Sequence, residues 1–438
     1  MVINVKSLWT ETIEMPEFPM LQGDKKTDVL IIGGGIAGVL CAYMLQQTGV
    51  NYMLLEADRI CRGVTGNTTA KITSQHGLIY SRLIKEFGVE TASMYLKSNE
   101  EAIGEYGRLC EELSCDFKEK SAYVYSRESI LPLEKEMEAL SLLKCQNASI
   151  TKDINLPVTA VGGIKFSNQA VFHPLRFLSS IARNLNIYEN TKVKSWNGKE
   201  FITDKGKITP QKTIVATHFP FINKHGGYFL KMYQQRSYVL ALENAKLPDG
   251  IYIDESQDGL SFRSYENLLL LGGGTHRTGK KSGGFSELER QARRYYPEAH
   301  IKHRWATQDC MTLDGIPYIG KYSKSSDRLL VATGFNKWGM TSAMVAATLL
   351  RDMILNKKNH YEELYNPART ILRPQLFVNA VETASNLIKL KKPRCPHLGC
   401  ALEWNGEEHS WDCPCHGSRF TEAGKLIENP ATDDLKSI

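Results

Sequence analysis

Asp28-Val29-Leu30-Ile31-Ile32-Gly33-Gly34-Gly35-Ile36-Ala37-Gly38 is the stretch that decides the fold. Its first five residues are a short apolar run, as expected of a parallel strand buried on both faces. The glycines fit G-x-G-x-x-G. Gly33 permits a tight turn, Gly35 lets backbone approach a pyrophosphate, and Gly38 lets the next helix pack closely on the strand. Helical spacing then runs from Ile36 to about Gln47, and Gly49 ends it. Tyr52-Met53-Leu54-Leu55 reads as a second strand closing on Glu56, an acid placed to hydrogen-bond ribose hydroxyls, while the helix N-terminus receives the phosphate charge. Glycines alone would fit a structural turn. Strand, glycines, helix, strand and acid in this order predict a dinucleotide site.

Further pieces extend it. Arg62 to Lys71 (RGVTGNTTAK) is small, polar and rich in backbone donors, suited to wrapping a cofactor or to forming a solvated loop. Leu329 to Thr341 is again strand, glycine turn and helix start, and amides at such a start stabilise negative charge. With IIGGGIAG, LLEA, GVTGNTTAK, TLDGIPYIG (Thr312 to Gly320) and ATGFNKWGMT, the chain resembles the D-amino acid oxidase superfamily of FAD-dependent amine oxidoreductases. The resemblance implies extended FAD and a flanking sheet domain over the flavin. It implies that Gly33, Gly35, Gly38 and Glu56 hold the ADP half. Thr65, Thr69 and Ala70 would lie near the pyrophosphate and isoalloxazine, and Gly334, Lys337 and Gly339 near the far end of the flavin.

Near the other end stand Cys395-Pro-His397-Leu-Gly-Cys400 and Cys413-Pro-Cys415-His416-Gly-Ser418. Each half offers a cysteine and a histidine at short spacing, plus one further cysteine. Two sulfurs and two imidazoles suit a [2Fe-2S] centre or a tetrahedral zinc ion, and plain disulfides are a third reading. Zinc leaves the second cysteine pair unexplained. CPHLGC and CPCHGSRF resemble the Rieske domains of the cytochrome bc type. That resemblance implies cluster ligation by Cys395, His397, Cys413 and His416, a Cys400–Cys415 disulfide, and a solvent-facing histidine side serving as electron exit. Two departures stand out. Phe420 replaces a tyrosine that donates to a ligand sulfur, while the other usual donor, Ser418, is present. The potential is therefore expected in the middle or lower part of the roughly −150 to +300 mV Rieske range. Few strand-like residues precede Cys395, so the base of this module looks abbreviated.

The chain has 438 residues, 42% hydrophobic and 23% charged, enough for two or three domains of an ordinary globular protein. The net charge of +6 is scattered, with no nucleic-acid stripe. Residues 1–20 lack a basic start and apolar core, so no signal peptide is expected. The run Leu329 to Leu350 contains Lys337 and two glycines and is no membrane span. A cytoplasmic location is expected. Six further cysteines (Cys41, Cys61, Cys110, Cys115, Cys145, Cys310) read as small buried hydrophobes. The expected fold is α/β (α+β overall). A Rossmann-like FAD-binding domain (about 25–80, 160–220 and 305–355) and an antiparallel-sheet substrate domain make up 1–375, and a small all-β Rieske domain makes up 376–438. Strands are expected at Ala122–Tyr125, Gly163–Phe166, Ser237–Leu242, Ile251–Ile253 and Leu268–Leu271. Helices are expected in Leu83–Leu113, Pro132–Leu143 and from Pro174 to about Asn184. Pro374 to Pro393 is expected to link the modules.

The whole resembles the bacterial FAD-dependent oxidoreductases with a C-terminal Rieske domain. The function this implies is oxidation of an amine or amino-acid-like small molecule at FAD, with electrons leaving through the cluster to an external acceptor. The alternatives are an NAD(P)H-linked reductase and a non-enzymatic redox-sensing or electron-carrier protein. The first lacks a second complete nucleotide fingerprint, since Gly272-Gly273-Gly274-Thr275-His276-Arg277 has no third spaced glycine. Arg236, His276 and Trp338 are the candidate catalytic residues. Tyr233, Tyr238 and Arg263 are further substrate contacts, an arginine being able to pair a carboxylate bidentately. Cys310 as a covalent flavin anchor is disfavoured by its spacing to Asp314.

Overall fold

The apolar run at Asp28 lies in the strand Lys25–Ile32, whose last four residues are all buried. The structure, a computed structural model, describes residues 6–222, 225–256, 258–280, 283–370, 372–389 and 392–436. Lys25–Ile32 pairs in parallel with Tyr52–Leu55 on one side and Lys207–Val215 on the other. The sheet continues through Leu329–Thr333 and Tyr318–Lys321, and through Ile187–Tyr188 at the far edge. Helix Ile36–Gln46 buries most of its residues against this sheet and against helix Gly339–Ile354. Gly38 allows that approach: a Cβ there would stand 1.9 Å from the Gly33 carbonyl oxygen.

Among the described residues a second sheet has nine strands. Its order begins His300–Thr312, Met232–Glu243, Leu268–Arg277, Ser261–Tyr265, Ile251–Asp254, Lys118–Ser126, Gly162–Val171. All five expected strands fall within it. The sheet departs from a purely antiparallel one at a single named pair, because Ile251–Asp254 runs parallel to Ala122–Tyr125. The expected helices appear as Tyr80–Phe87, Val89–Glu111, Leu131–Leu142 and Pro174–Ala182. The break at Gly88 (φ +87°) splits the first stretch in two.

The connection near residue 380 is itself largely helical, at Pro374–Leu387. Leu390 and Lys391, within the expected linker, lie outside the described residues. Beyond it, Glu403–Asn405, Ser410–Asp412, Arg419–Thr421 and Leu426–Glu428 form a four-stranded antiparallel meander. Among the described residues no strand of this meander precedes Cys395, as the sequence suggested.

An ionic layer holds this module against the second sheet. The buried guanidinium of Arg236 meets Glu408 and, at 3.1 Å, Glu428. Arg419, equally buried, reaches Glu408 and Asp412 at 2.9 Å each. Tyr238 donates its hydroxyl to Glu408. Burial alone would raise the Glu408 carboxyl, but Arg236 and Arg419 outweigh it and hold it at about 2. Removing one partner of such a network leaves charge buried without compensation.

Glu408→Gln should therefore destabilise the protein by about 3 kcal/mol at neutral pH. The folded-state pKa lies below the ordinary 4.5, so the contribution is full above that value and fades as pH falls from there toward about 2. Thermal denaturation of both proteins should show a gap that narrows on acidification. A gap independent of pH would contradict the ionic origin.

Candidate functional site

The C-terminal edge of the first sheet opens into a cavity of about 1070 Å³ that runs on beneath the second sheet. Gly33 and Gly35 line its inner end. Glu56 accepts the Gly34 amide at 2.7 Å and the Asp58 amide at 3.0 Å, so the carboxylate is fixed at the glycine turn. Burial raises its pKa, and these backbone donors counter the rise. Gly38 lies behind the turn as a packing residue. Thr65 also lines the cavity, and its hydroxyl accepts the Ile36 amide at 3.0 Å at the helix start.

The loop after Arg62 is held by its carbonyls. Ser7 takes that of Gly66, Trp305 that of Asn67 (2.9 Å) and Trp9 that of Thr68 (2.7 Å). Arg263 takes those of Thr69 (2.6 Å) and Ala70 (2.7 Å). Five consecutive carbonyls are thus bound to protein, away from a cavity that Thr68, Thr69 and Lys71 line. Arg263, fully buried, supports this loop through Nη1 and does not line the cavity. On the opposite wall, Gly334, Asn336 and Lys337 all take positive φ (70°, 51°, 72°). Gly334 is needed there, since a Cβ would meet Thr312 Cγ2 at 2.3 Å. Such backbone is kept only where the surroundings over-determine it.

The three candidate catalytic residues part company. Trp338 lines the cavity and stacks on buried His76, with ring centroids 4.7 Å apart. His276 stacks on Tyr238 and directs Nδ1 to the Gly274 carbonyl, away from the cavity lining. Arg236 is wholly engaged with Glu408 and Glu428, so its charge serves the domain interface and not a substrate. Tyr233 and Tyr238 line the cavity. Cys310 also does, but burial pushes its thiol well above the ordinary range. Gly272 and Gly273 belong to the strand Leu268–Arg277 and form no second nucleotide turn.

Sequence reading missed three charged groups at this end. Asp309 lines the cavity, and burial, opposed by Lys337 and Arg236, pushes its carboxyl up to about 6. Lys71 is pulled down to about 7 by burial, then by Arg263 and Lys337. Glu428 belongs to the Rieske module yet lines the same cavity, together with Leu426, Ile427 and Asn429. Only the position of Asp309 beside TLDGIPYIG hinted at it.

The two cysteine–histidine loops converge at the interface. The His397 and His416 rings lie perpendicular, 5.0 Å apart. Cys400 and Cys415 are disulfide-bonded, and the Cys413 sulfur lies within 4.8 Å of both. Cys395 is in hydrogen-bond contact with Cys413 and receives a further hydrogen bond from Ser418. Burial holds His416 neutral, its pKa at about 3, and its Nδ1 is buried with no partner. A metal-binding imidazole needs that neutral state. Two sulfurs, two imidazoles and this orphaned nitrogen fit a [2Fe-2S] cluster.

Its histidine side is turned differently from expectation. His416 is 2% exposed and meets Phe229 edge-on, while half-buried His397 faces Phe219. The reason is a set of carbonyls captured by the second sheet. Gln234 donates to the His416 carbonyl and Gln308 to that of Gly417, at 2.7 and 2.8 Å. Arg277 donates to those of Pro414 and Cys415 at 3.0 and 3.1 Å. Gly417 (φ +88°) permits the contact, because a Cβ would stand 2.6 Å from that of Gln234.

Comparison with known proteins agrees with this geometry. The FAD dependent oxidoreductase family (DAO) matches residues 28–353, and the Rieske [2Fe-2S] domain matches residues 367–438. The chain belongs to that oxidoreductase family and ends in a Rieske domain; it is an FAD-dependent oxidoreductase that binds FAD and a [2Fe-2S] cluster. It is similar to the putative Rieske 2Fe-2S iron-sulfur protein YhfW of Bacillus subtilis, 36% identical over 99% of this chain and 97% of that one. Its tail is 51% identical over 44 residues to the cytochrome b6-f complex iron-sulfur subunit of Trichodesmium erythraeum, covering 10% of this chain and 25% of that one. The fold is shared with glycine oxidase from Geobacillus kaustophilus (TM-score 0.65, 16% identity, 79% of this chain and 99% of that one). It is shared also with L-proline dehydrogenase from P. horikoshii (TM-score 0.66, 17% identity, 80% and 98%). Among the described residues no helix is long and apolar enough to cross a membrane.

Glu56→Ala should weaken FAD binding about ten- to a hundredfold, the worth of a charge-assisted hydrogen-bond set. Fluorescence titration of FAD into the stripped protein measures it. Unchanged affinity would remove Glu56 from the site.

Proposed function

We propose that this chain oxidises an amine or amino-acid-like substrate at FAD and passes the electrons through the [2Fe-2S] cluster to an external acceptor. FAD accepts two electrons with a hydride and a Rieske cluster carries one, so the pair supplies a two-electron to one-electron converter. The observation that carries the reading is the ribbon of Met232–Glu243 paired with His300–Thr312. Side chains alternate across a strand. Tyr233 and Gln235, with Thr307 and Asp309, face the cavity, while Gln234 and Gln308 between them face the cluster loop. One layer of sheet separates the two sites.

In this reading Gly33, Gly35 and Glu56 hold the ADP half of FAD, with Gly38 behind them. Thr65, Thr69 and Ala70 serve the pyrophosphate side, and Gly334, Lys337 and Gly339 the flavin end. Cys395, His397, Cys413 and His416 are the cluster ligands. Trp338 and Tyr233 shape the substrate end, and the amino-acid enzymes that share the fold support the substrate class. Asp309 and Lys71 supply a carboxylate and an amine there, either of which can orient a zwitterion or move a proton near neutral pH. Glu428 and Asn429 roof the same space, so substrate exclusion of water depends on the Rieske module staying docked.

His416→Ala separates the two halves of the reaction. Anaerobic screening of amines and amino acids, followed by flavin absorbance, first identifies a reducing substrate. In the variant the Rieske electron-spin signal should vanish and stopped-flow flavin reduction should persist. Steady-state reduction of a one-electron dye should collapse. Full dye turnover without the signal would mean that the flavin is reoxidised directly.

A further inference from the structure

The helix Pro374–Leu387 is amphipathic the wrong way round. Asn379 and Asn386 are its buried residues, at 4% and 1% exposure. Asn379 Oδ1 accepts from Arg277 and Gln375, and the Asn386 carbonyl accepts the Ala401 amide beside the first cluster loop. The polar side thus anchors the Rieske module. Facing outward are Phe377, Val381, Ala384 and, just past the helix, Ile388, at spacings of four, three and four. Phe377 and Val381 are each 68% exposed and Ile388 is 78% exposed. Val378, next to Phe377 on the helix, is 49% exposed. A surface helix of a globular protein normally turns such a stripe to the core, and contiguous exposed apolar patches mark interaction sites.

Charge indicates what covers it. The helix runs into Lys389-Leu390-Lys391-Lys392-Pro393-Arg394. Lys389 and Lys392 share the carboxylate of Glu403, and among the described residues Arg394 binds backbone carbonyls, at Asn386, Leu387, Lys389 and Gly399. Lys280 is matched by Glu382. The end of the stripe is therefore left with net positive charge. An apolar stripe with a basic cluster at its end is the arrangement of an interfacial helix, lying in the headgroup plane of a membrane that carries anionic lipid.

We propose that the outward face of Pro374–Leu387, with Ile388, seats this protein on an anionic lipid surface. Apolar side chains enter the acyl boundary, and Lys389, Lys392 and Arg394 meet the headgroups. The seat is peripheral, since the helix is too short to span. On the electron-transfer reading above, it holds the His397 loop near the lipid boundary, because Arg394 ties the Gly399 carbonyl of that loop to the Leu387 carbonyl at the helix end; lipid binding itself does not depend on that reading.

Sedimentation of the full, cofactor-loaded chain with vesicles tests this. Vesicles of mixed phosphatidylglycerol and phosphatidylcholine should carry the protein down, pure phosphatidylcholine vesicles should not, and about 1 M salt should release it. Phe377→Ser with Val381→Ser should abolish capture, and Lys389→Gln with Lys392→Gln should weaken it roughly tenfold or more. All variants should keep the flavin spectrum and the Rieske signal, since none of these side chains is buried. Protein that stays in the supernatant with anionic vesicles overturns the proposal. So does equal capture by neutral vesicles, or a dimer in solution that the Val381 change dissociates, which would assign the face to a second copy. Failure here leaves flavin reduction and dye turnover as they were, so the two readings fail separately.

Discussion

Alternation along one pair of strands governs the relation between the two redox sites. Because neighbouring side chains on a strand point to opposite faces, Met232–Glu243 and His300–Thr312 can serve a cavity and a cluster loop at once. A slip of one residue would turn Gln234 and Gln308 into the cavity and bury Tyr233 and Asp309 against the Rieske loop. The register is set by apolar residues further along the same strands. Val239 and Ala241 lie in the main core, and Leu240 and Leu242 lie in the cluster on the other face. Packing remote from the chemistry thus decides which side chains reach it.

The Rieske module uses the flavoprotein as its base. A small domain of four three-residue strands encloses little apolar area, and its own core is confined to the cysteines with Leu402, Phe420, Ala401 and Ala431 and their neighbours. Domains of that size need further support. Here the disulfide, the metal ligands and the Arg236–Glu408–Arg419 layer supply it. The ionic layer ties the module to the second sheet, because Arg236 of Met232–Glu243 meets Glu408 and Glu428 of the Rieske domain. That placement turns His416 inward and leaves the His397 side nearer solvent.

Much of this was legible in the sequence. The strand, Gly33–Gly38 turn and helix, the convergence of the two cysteine–histidine loops and the strands of the second sheet were legible because their signals are local: fixed glycine spacings, short cysteine–histidine spacings and apolar periodicity. What escaped depends on contacts between distant segments. Arg236 looked like a substrate anchor, since nothing near it in sequence announces that Glu408 and Glu428 fold back onto it. Arg263 looked the same and instead holds the carbonyls of Thr69 and Ala70. Asp309 and Lys71 acquire shifted pKa values only through burial in a shared cavity. The helix Pro374–Leu387 read as a linker because its asparagines, polar in composition, are the residues that face inward.

The central claim is that the cluster is fixed one sheet layer from the flavin cavity. Anomalous diffraction at the iron edge, on crystals of the loaded protein, tests it most directly. The account predicts iron between the His397 and His416 loops, with the ribbon of Gln234 and Gln308 between it and the flavin, at a separation on the order of 10 Å. Iron at roughly twice that distance, or on a Rieske module detached from Arg236, would contradict it.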